Sequence, residues 1–169
     1  EVPERWEQLK ANPDLVENEI EESLRFDPPI NSHFRTSLCP VSMHGAELPE
    51  RAKLMFSMLG ANRDPTIFDE PDSFKLDRPL NQSKRHLSFG YGSHQCMGKN
   101  LARMEMRVFL EELTRRLPHM ELVPEQSFTY LPNVSFRGPE HLHVRWDPAR
   151  NPERADPALR EGTRRFEIG

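Results

Sequence analysis

The stretch Phe89-Gly90-Tyr91-Gly92-Ser93-His94-Gln95-Cys96-Met97-Gly98-Lys99-Asn100-Leu101-Ala102-Arg103 constrains this chain more than any other. Three of the eight glycines, Gly90, Gly92 and Gly98, fall within nine residues. Such a backbone turns sharply and can lie close against something flat, where a Cβ would collide. The loop delivers Cys96 just ahead of an amphipathic helical pattern, where unpaired N–H groups and the helix dipole favour a thiolate. The only other cysteine, Cys39, is far away and there is no CxxC pair, which argues against a disulfide framework or a structural zinc site. His94 beside Cys96 suggests a metal pair, but two such ligands alone make a poor zinc site.

A thiolate held by a tight loop under a flat ligand is what an axial haem ligand needs. The pattern Phe-Gly-x-Gly-x-His-x-Cys-x-Gly, followed by Leu-Ala-Arg, resembles the haem-binding loop of the cytochromes P-450 in its bacterial form. The resemblance implies a mainly α fold with small antiparallel β sheets and haem b as cofactor. It makes Cys96 the fifth iron ligand through anionic sulfur, a donor that favours O–O cleavage. It also implies that backbone N–H groups around Gly98 bond the sulfur, that His94 contacts a haem propionate, that Phe89 shields the sulfur, and that Gly90 belongs to the cofactor-binding turn.

Ahead of the loop, residues 1–11 read as a short helix with Pro3 in its first turn. Asn12-Pro13-Asp14 caps a second helix, in which Val16, Ile20 and Leu24 share one face and which ends before Pro28-Pro29. Near its end stand Glu22 and Arg25, at a spacing that by itself describes a surface ion pair. Glu-x-x-Arg followed by Phe-Asp-Pro-Pro, about seventy residues before the cysteine, resembles the family's helix motif. That likeness implies a buried network with Arg78, which fixes the proximal side of the haem pocket.

From Ile30 to about Leu59 the pattern turns to β, with short stretches at Thr36 to Met43 and Lys53 to Leu59 and a hairpin-like turn over His44 to Pro49. By resemblance, Ile30, Asn31, Ser32 and His33 belong to a substrate-contacting strand. The resemblance also implies that Arg35 anchors a haem propionate through a charge-assisted fork, where the residue alone reads as an exposed strand arginine. Ala61 to Arg85 is rich in Pro, Asp and Asn and reads as a long ordered loop with one short helix. After Cys96, Lys99 to Leu117 is the most regular helix. Its apolar stripe of Ala102, Met106, Phe109, Leu113 and Leu117, widened by Leu101, Met104, Val108 and Leu110, predicts deep burial. Lys99, Arg103 and Arg107 on its polar face are either solvated charges or a docking patch for an acidic electron donor. Short β pieces follow at Met120 to Val123, Phe128 to Leu131 and His141 to Trp146. His141 and His143 read as a surface pair, and the turn Leu131 to Val134 resembles a loop that reaches over the substrate.

A net charge of −4 supplies no strong field for nucleic acid. No run approaches the roughly 18 apolar residues of a membrane span, and no signal-like segment leads the chain, so a soluble cytoplasmic protein is expected. The resemblance covers residues 1–147, read as the C-terminal haem-binding portion of a larger domain. Residues 148–169 have the composition of a polar tail or linker, and their end resembles the connection to a fused flavin and iron–sulfur reductase. The implied activity is a haem-thiolate monooxygenase. It takes electrons from NAD(P)H through a ferredoxin or a fused reductase and inserts one atom of O2 into a small organic substrate. The family's Ala-Gly-x-x-Thr helix, which activates oxygen, has no match here. The rival expectation is therefore a non-catalytic haem-binding or interaction remnant.

Overall fold

The computed structural model describes residues 3–152, so the expectation for the tail from Glu153 onward, including its reductase connection, lies outside the described residues. Two compact units make up the chain. One comprises Glu21–Cys96 with Tyr130–Pro139; the other comprises the chain up to Ile20, Met97–Thr129 and the segment from Glu140.

Helix α1 (Pro3–Ala11) ends at Asn12, whose side chain accepts the N–H of Asp14 and opens a 3-10 turn over Pro13–Leu15. Helix α2 (Val16–Phe26) follows directly, and Val16, Ile20 and Leu24 on one face are buried, as their spacing predicts. Asp27-Pro28 ends it, because the residue before a proline avoids the α region.

In the unit that carries Cys96, β1 (Ser32–Thr36) pairs antiparallel with β4 (Lys53–Ser57), with Ser32 opposite Ser57 and Thr36 opposite Lys53. Between them, β2 (Val41–Met43) and β3 (Ala46–Leu48) form a hairpin. His44 and Gly45 both have positive φ, at 48° and 81°, the geometry whose twist matches paired strands. The turn is thus two residues rather than the six-residue stretch expected from sequence, and Thr36 to Met43 is broken into two strands. Short helices α3 (Met58–Ala61) and α4 (Leu80–Ser83) flank the irregular segment expected between Ala61 and Arg85. Ser57 caps α3 by accepting the N–H of Gly60 at 2.9 Å.

In the other unit α5 (Lys99–Arg116) lies against α1, while Trp6 Nε1 and Lys10 Nζ donate to the Pro118 carbonyl at 3.2 and 2.9 Å. The two-stranded pair β5 (Glu121–Leu122) and β6 (Val144–Arg145) completes it, shorter than the expected stretches. Phe128 to Leu131 forms no strand, and its Tyr130 makes an isolated bridge to Pro139 within the unit that carries Cys96. The deep burial expected of α5 does not hold: none of its residues is buried, and Phe109 is 62% exposed. An apolar stripe states only which face can be buried, and among the described residues α5 packs on α1. Leu101, Met104 and Val108, one i, i+3, i+7 stripe, are left outside.

Candidate functional site

Glu22 and Arg25 lie one turn apart on α2, and both side chains are fully buried. Arg25 uses all five of its N–H groups. Nε and Nη2 fork onto the two oxygens of Glu22 at 2.8 and 2.7 Å. The rest go to the carbonyls of Asn62, Pro71 and Ser73 at 3.0, 2.7 and 2.8 Å. Arg78 does the same from the other side. Its Nε reaches Glu22 Oε2 at 2.9 Å, and its other donors take the carbonyls of Asp69, Glu70 and Ser73 and the Gln82 amide oxygen. The N–H of Lys75 adds a fourth bond to the Glu22 carboxylate at 2.9 Å.

A segment without strand or helix has carbonyls that nothing regular satisfies, and the two guanidinium groups supply the missing donors. The ring of Phe68 lies 5.4 Å from the Arg25 guanidinium carbon. Burial pushes the Glu22 carboxyl up, but the bonds from Arg25, Lys75 and Arg78 outweigh it and hold it below the usual carboxylate range.

The segment entering the cysteine loop is tied to the same helix. Ser88 Oγ donates to the Leu24 carbonyl at 2.6 Å and accepts from Asn62 Nδ2 at 2.9 Å, while Asn62 Oδ1 accepts the Leu87 N–H at 2.7 Å. His86 Nε2 stands 3.1 Å from Glu21 Oε2 with both side chains buried. From this stem the loop turns at Gly90 (φ 71°) and Gly92 (φ 76°), passes through one 3-10 turn over Gly92–His94, and returns. The Cys96 N–H closes it on the Phe89 carbonyl at 2.9 Å. A Cβ on Gly92 would meet no atom of the chain within 4 Å, and one on Gly90 would meet only ordinary contacts. Within the chain, then, Gly90 and Gly92 are called for by their left-handed backbone, which residues with a Cβ rarely adopt.

Cys96 and His94 are exposed and Phe89 is half-buried, its ring 5.9 Å from that of His86. Gly98, with φ −83°, stands at the N-cap of α5 and accepts the Ala102 N–H through its carbonyl. Asn31 N–H donates to the Ser135 carbonyl, Ser32 Oγ to that of Val134, and Ile30 bridges Phe136. The substrate-strand residues are thereby joined to the 131–136 turn. His33, paired with Phe56, brings Nε2 within 3.9 Å of where a Gly90 Cβ would stand. Arg35 is exposed on β1, opposite Leu54, and donates to the Phe34 carbonyl. On α5, Arg107 pairs with Glu111 at 2.8 Å, and Asp14 and Glu17 also act on its charge. Lys99 and Arg103 are half-buried on the same face. His141 and His143 have ring centres 5.9 Å apart.

Sequence patterns do not single out Glu21, His86, Asn62 or Ser88. Their partners lie 25 to 65 residues away, and the only local hints are the Glu21-Glu22 doublet and the place of Ser88 directly before Phe89.

Among the described residues no group of three or more His, Cys, Asp or Glu could hold a bare metal ion. A porphyrin brings four nitrogens of its own and needs one axial donor from the protein, so a single exposed soft sulfur on a tight loop fits haem. The cytochrome P-450 profile matches residues 6–130. The chain is 36% identical over 146 residues to steroid C26-monooxygenase of Mycolicibacterium smegmatis, covering 86% of this chain and 36% of that one. It superposes on an intact type IV self-sufficient cytochrome P-450 monooxygenase with TM-score 0.88 and 55% identity, covering 93% of this chain and 20% of that one. The haem domain of Tepidiphilus thermophilus cytochrome P-450 gives 0.82 and 49%, over 88% of this chain and 35% of that one. The chain belongs to the cytochrome P-450 family, whose cofactor is haem b. It spans about a third of the length of the curated relatives it matches.

Proposed function

We propose that this chain is the C-terminal, proximal portion of a cytosolic haem-thiolate monooxygenase, with Cys96 as the axial iron ligand. The observation that carries the reading is the exposed cysteine on a loop closed by its own N–H and anchored, through Ser88 and Asn62, to a buried helix. Bound haem supplies the activation of O2, which the protein's own side chains cannot perform. The overall change is RH + O2 + NAD(P)H + H⁺ giving ROH + H2O + NAD(P)⁺, with R a small organic substrate.

Cys96 would hold the iron through its sulfur, whose donor character favours O–O cleavage, and Phe89 would limit water beside it. Arg35 and His94 supply cationic and hydrogen-bonding groups for the two propionates. Ile30, Asn31, Ser32 and His33 border the substrate, and the 131–136 turn holds that strand in place. Glu22, Arg25 and Arg78 act structurally, by keeping the irregular segment before the loop in one arrangement.

Lys99, Arg103 and Arg107 offer a cationic face to an acidic ferredoxin, or to a reductase fused in the same polypeptide; the similarity to a self-sufficient relative favours the fused form. None of the described helices is long and apolar enough to cross a membrane, which is compatible with the cytosolic placement. Turnover of the holoprotein containing this chain under oxygen-18 gas tests the reaction. One labelled atom is expected in the hydroxylated product and one in water. Label entering product from water instead would overturn the monooxygenase reading.

A further inference from the structure

Two adjacent carboxylates on α2 do different work. Successive helical residues point about 100° apart, and while Glu22 faces the two arginines, Glu21 faces His86. The Glu21 and His86 side chains are each 1% exposed. On the other side of the ring, the Ser88 N–H donates to His86 Nδ1 at 3.2 Å. A nitrogen that accepts a hydrogen bond carries no proton, so the proton of the neutral ring is on Nε2 and is donated to the Glu21 carboxylate. The tautomer is thus assigned by the bond that the other nitrogen makes.

Ser88 is the last residue before the loop. The next carbonyl, that of Phe89, is the one that receives the Cys96 N–H at 2.9 Å. The Phe89 ring rests 5.9 Å from the imidazole. A buried ring therefore holds the backbone one residue ahead of the group on which the cysteine closes, and a carboxylate holds the ring.

We propose that His86, oriented by Glu21, is a positioning residue for the Cys96 sulfur. It accepts the Ser88 N–H and so fixes the Phe89 carbonyl that closes the thiolate loop. The proposal rests on Cys96 as the haem ligand for its spectroscopic consequence, but not for its structural one.

Two variants separate the ring's two bonds. In His86→Asn the side-chain oxygen occupies the place of Nδ1, the same number of bonds from Cα, and can still accept the Ser88 N–H. In His86→Gln the amide reaches toward Glu21 as Nε2 does, but nothing stands at the Nδ1 position. The first readout is amide hydrogen exchange at Ser88 and Cys96 in the haem-free full chain. Exchange at both is expected to rise at least tenfold in His86→Gln and to stay within twofold of the parent in His86→Asn. The second is the reduced-CO spectrum of the haem-loaded chain, expected to keep its thiolate-type band in the Asn variant and to move toward the thiol type in the Gln variant.

Equal behaviour of the two variants in exchange, or greater damage in the Asn variant, overturns the proposal. If the parent chain shows no band that depends on Cys96, the ligand reading fails, and the exchange comparison still decides whether His86 positions the loop.

Discussion

Glu22 accepts four hydrogen bonds, two from Arg25, one from Arg78 and one from the Lys75 backbone, and no water reaches it. Removing its charge leaves two buried guanidinium groups without their shared counter-ion, a loss of about 3–5 kcal/mol by comparison with other broken buried pairs. Glu22→Gln is therefore expected to lower the urea midpoint sharply without altering the slope, and a change of less than about 1 kcal/mol would place the pair among weak surface bridges. The same carboxyl makes stability depend on acid. Its folded value lies below the ordinary 4.5, so its contribution is complete above about that pH and disappears as the pH falls through the folded value. Urea titrations of the parent at descending pH should show that loss, and Glu22→Gln should lack this part of it.

The turn-rich loop that carries His94 and Cys96 was legible in sequence because its residues are contiguous and chemically unusual. Glu21 and His86 were not: a glutamate in a charged helix and a lone histidine carry no local mark of a bond across 65 residues.

The loop from Phe89 to Cys96 and the β2–β3 hairpin share one backbone device, glycine in the left-handed region. Gly92→Ala and Gly45→Ala should each cost roughly 1–2 kcal/mol, since both positions have positive φ and neither has a neighbour for a Cβ to strike. Only the first should also disturb the haem spectrum; equal spectral damage from both would mean that the loop's conformation has no special bearing on the ligand. The helices show where periodicity is a good guide and where it stops. On α2 the four-residue spacing of Val16, Ile20 and Leu24 matches burial, because something packs on that face. On α5 an equally regular stripe stays exposed: a pattern states which face can be buried, while burial itself depends on what is there to cover it. The strands were less legible still. At two or three residues each, β2, β3, β5 and β6 are set by their pairing partners, which a window along the chain does not see.

Across the described residues, ten polar or charged side chains are buried beside seven hydrophobic ones, and the hydrogen-bonded group around Glu22 is costly to disturb in part. The chain also covers only about a third of its relatives' length, and α5 carries an apolar stripe in the open. On our reading as the proximal portion of a larger domain, haem held by this chain alone should transfer to a competing apo-globin faster than haem held by a full-length relative. Equal transfer rates would mean that the proximal elements suffice to retain it.

The most direct test is the reduced-CO difference spectrum of the haem-loaded chain beside that of Cys96→Ala. A thiolate-type Soret band in the parent that is absent from the variant is the predicted result. A band unchanged in Cys96→Ala would contradict the assignment of the sulfur, and with it the functional reading built on this loop.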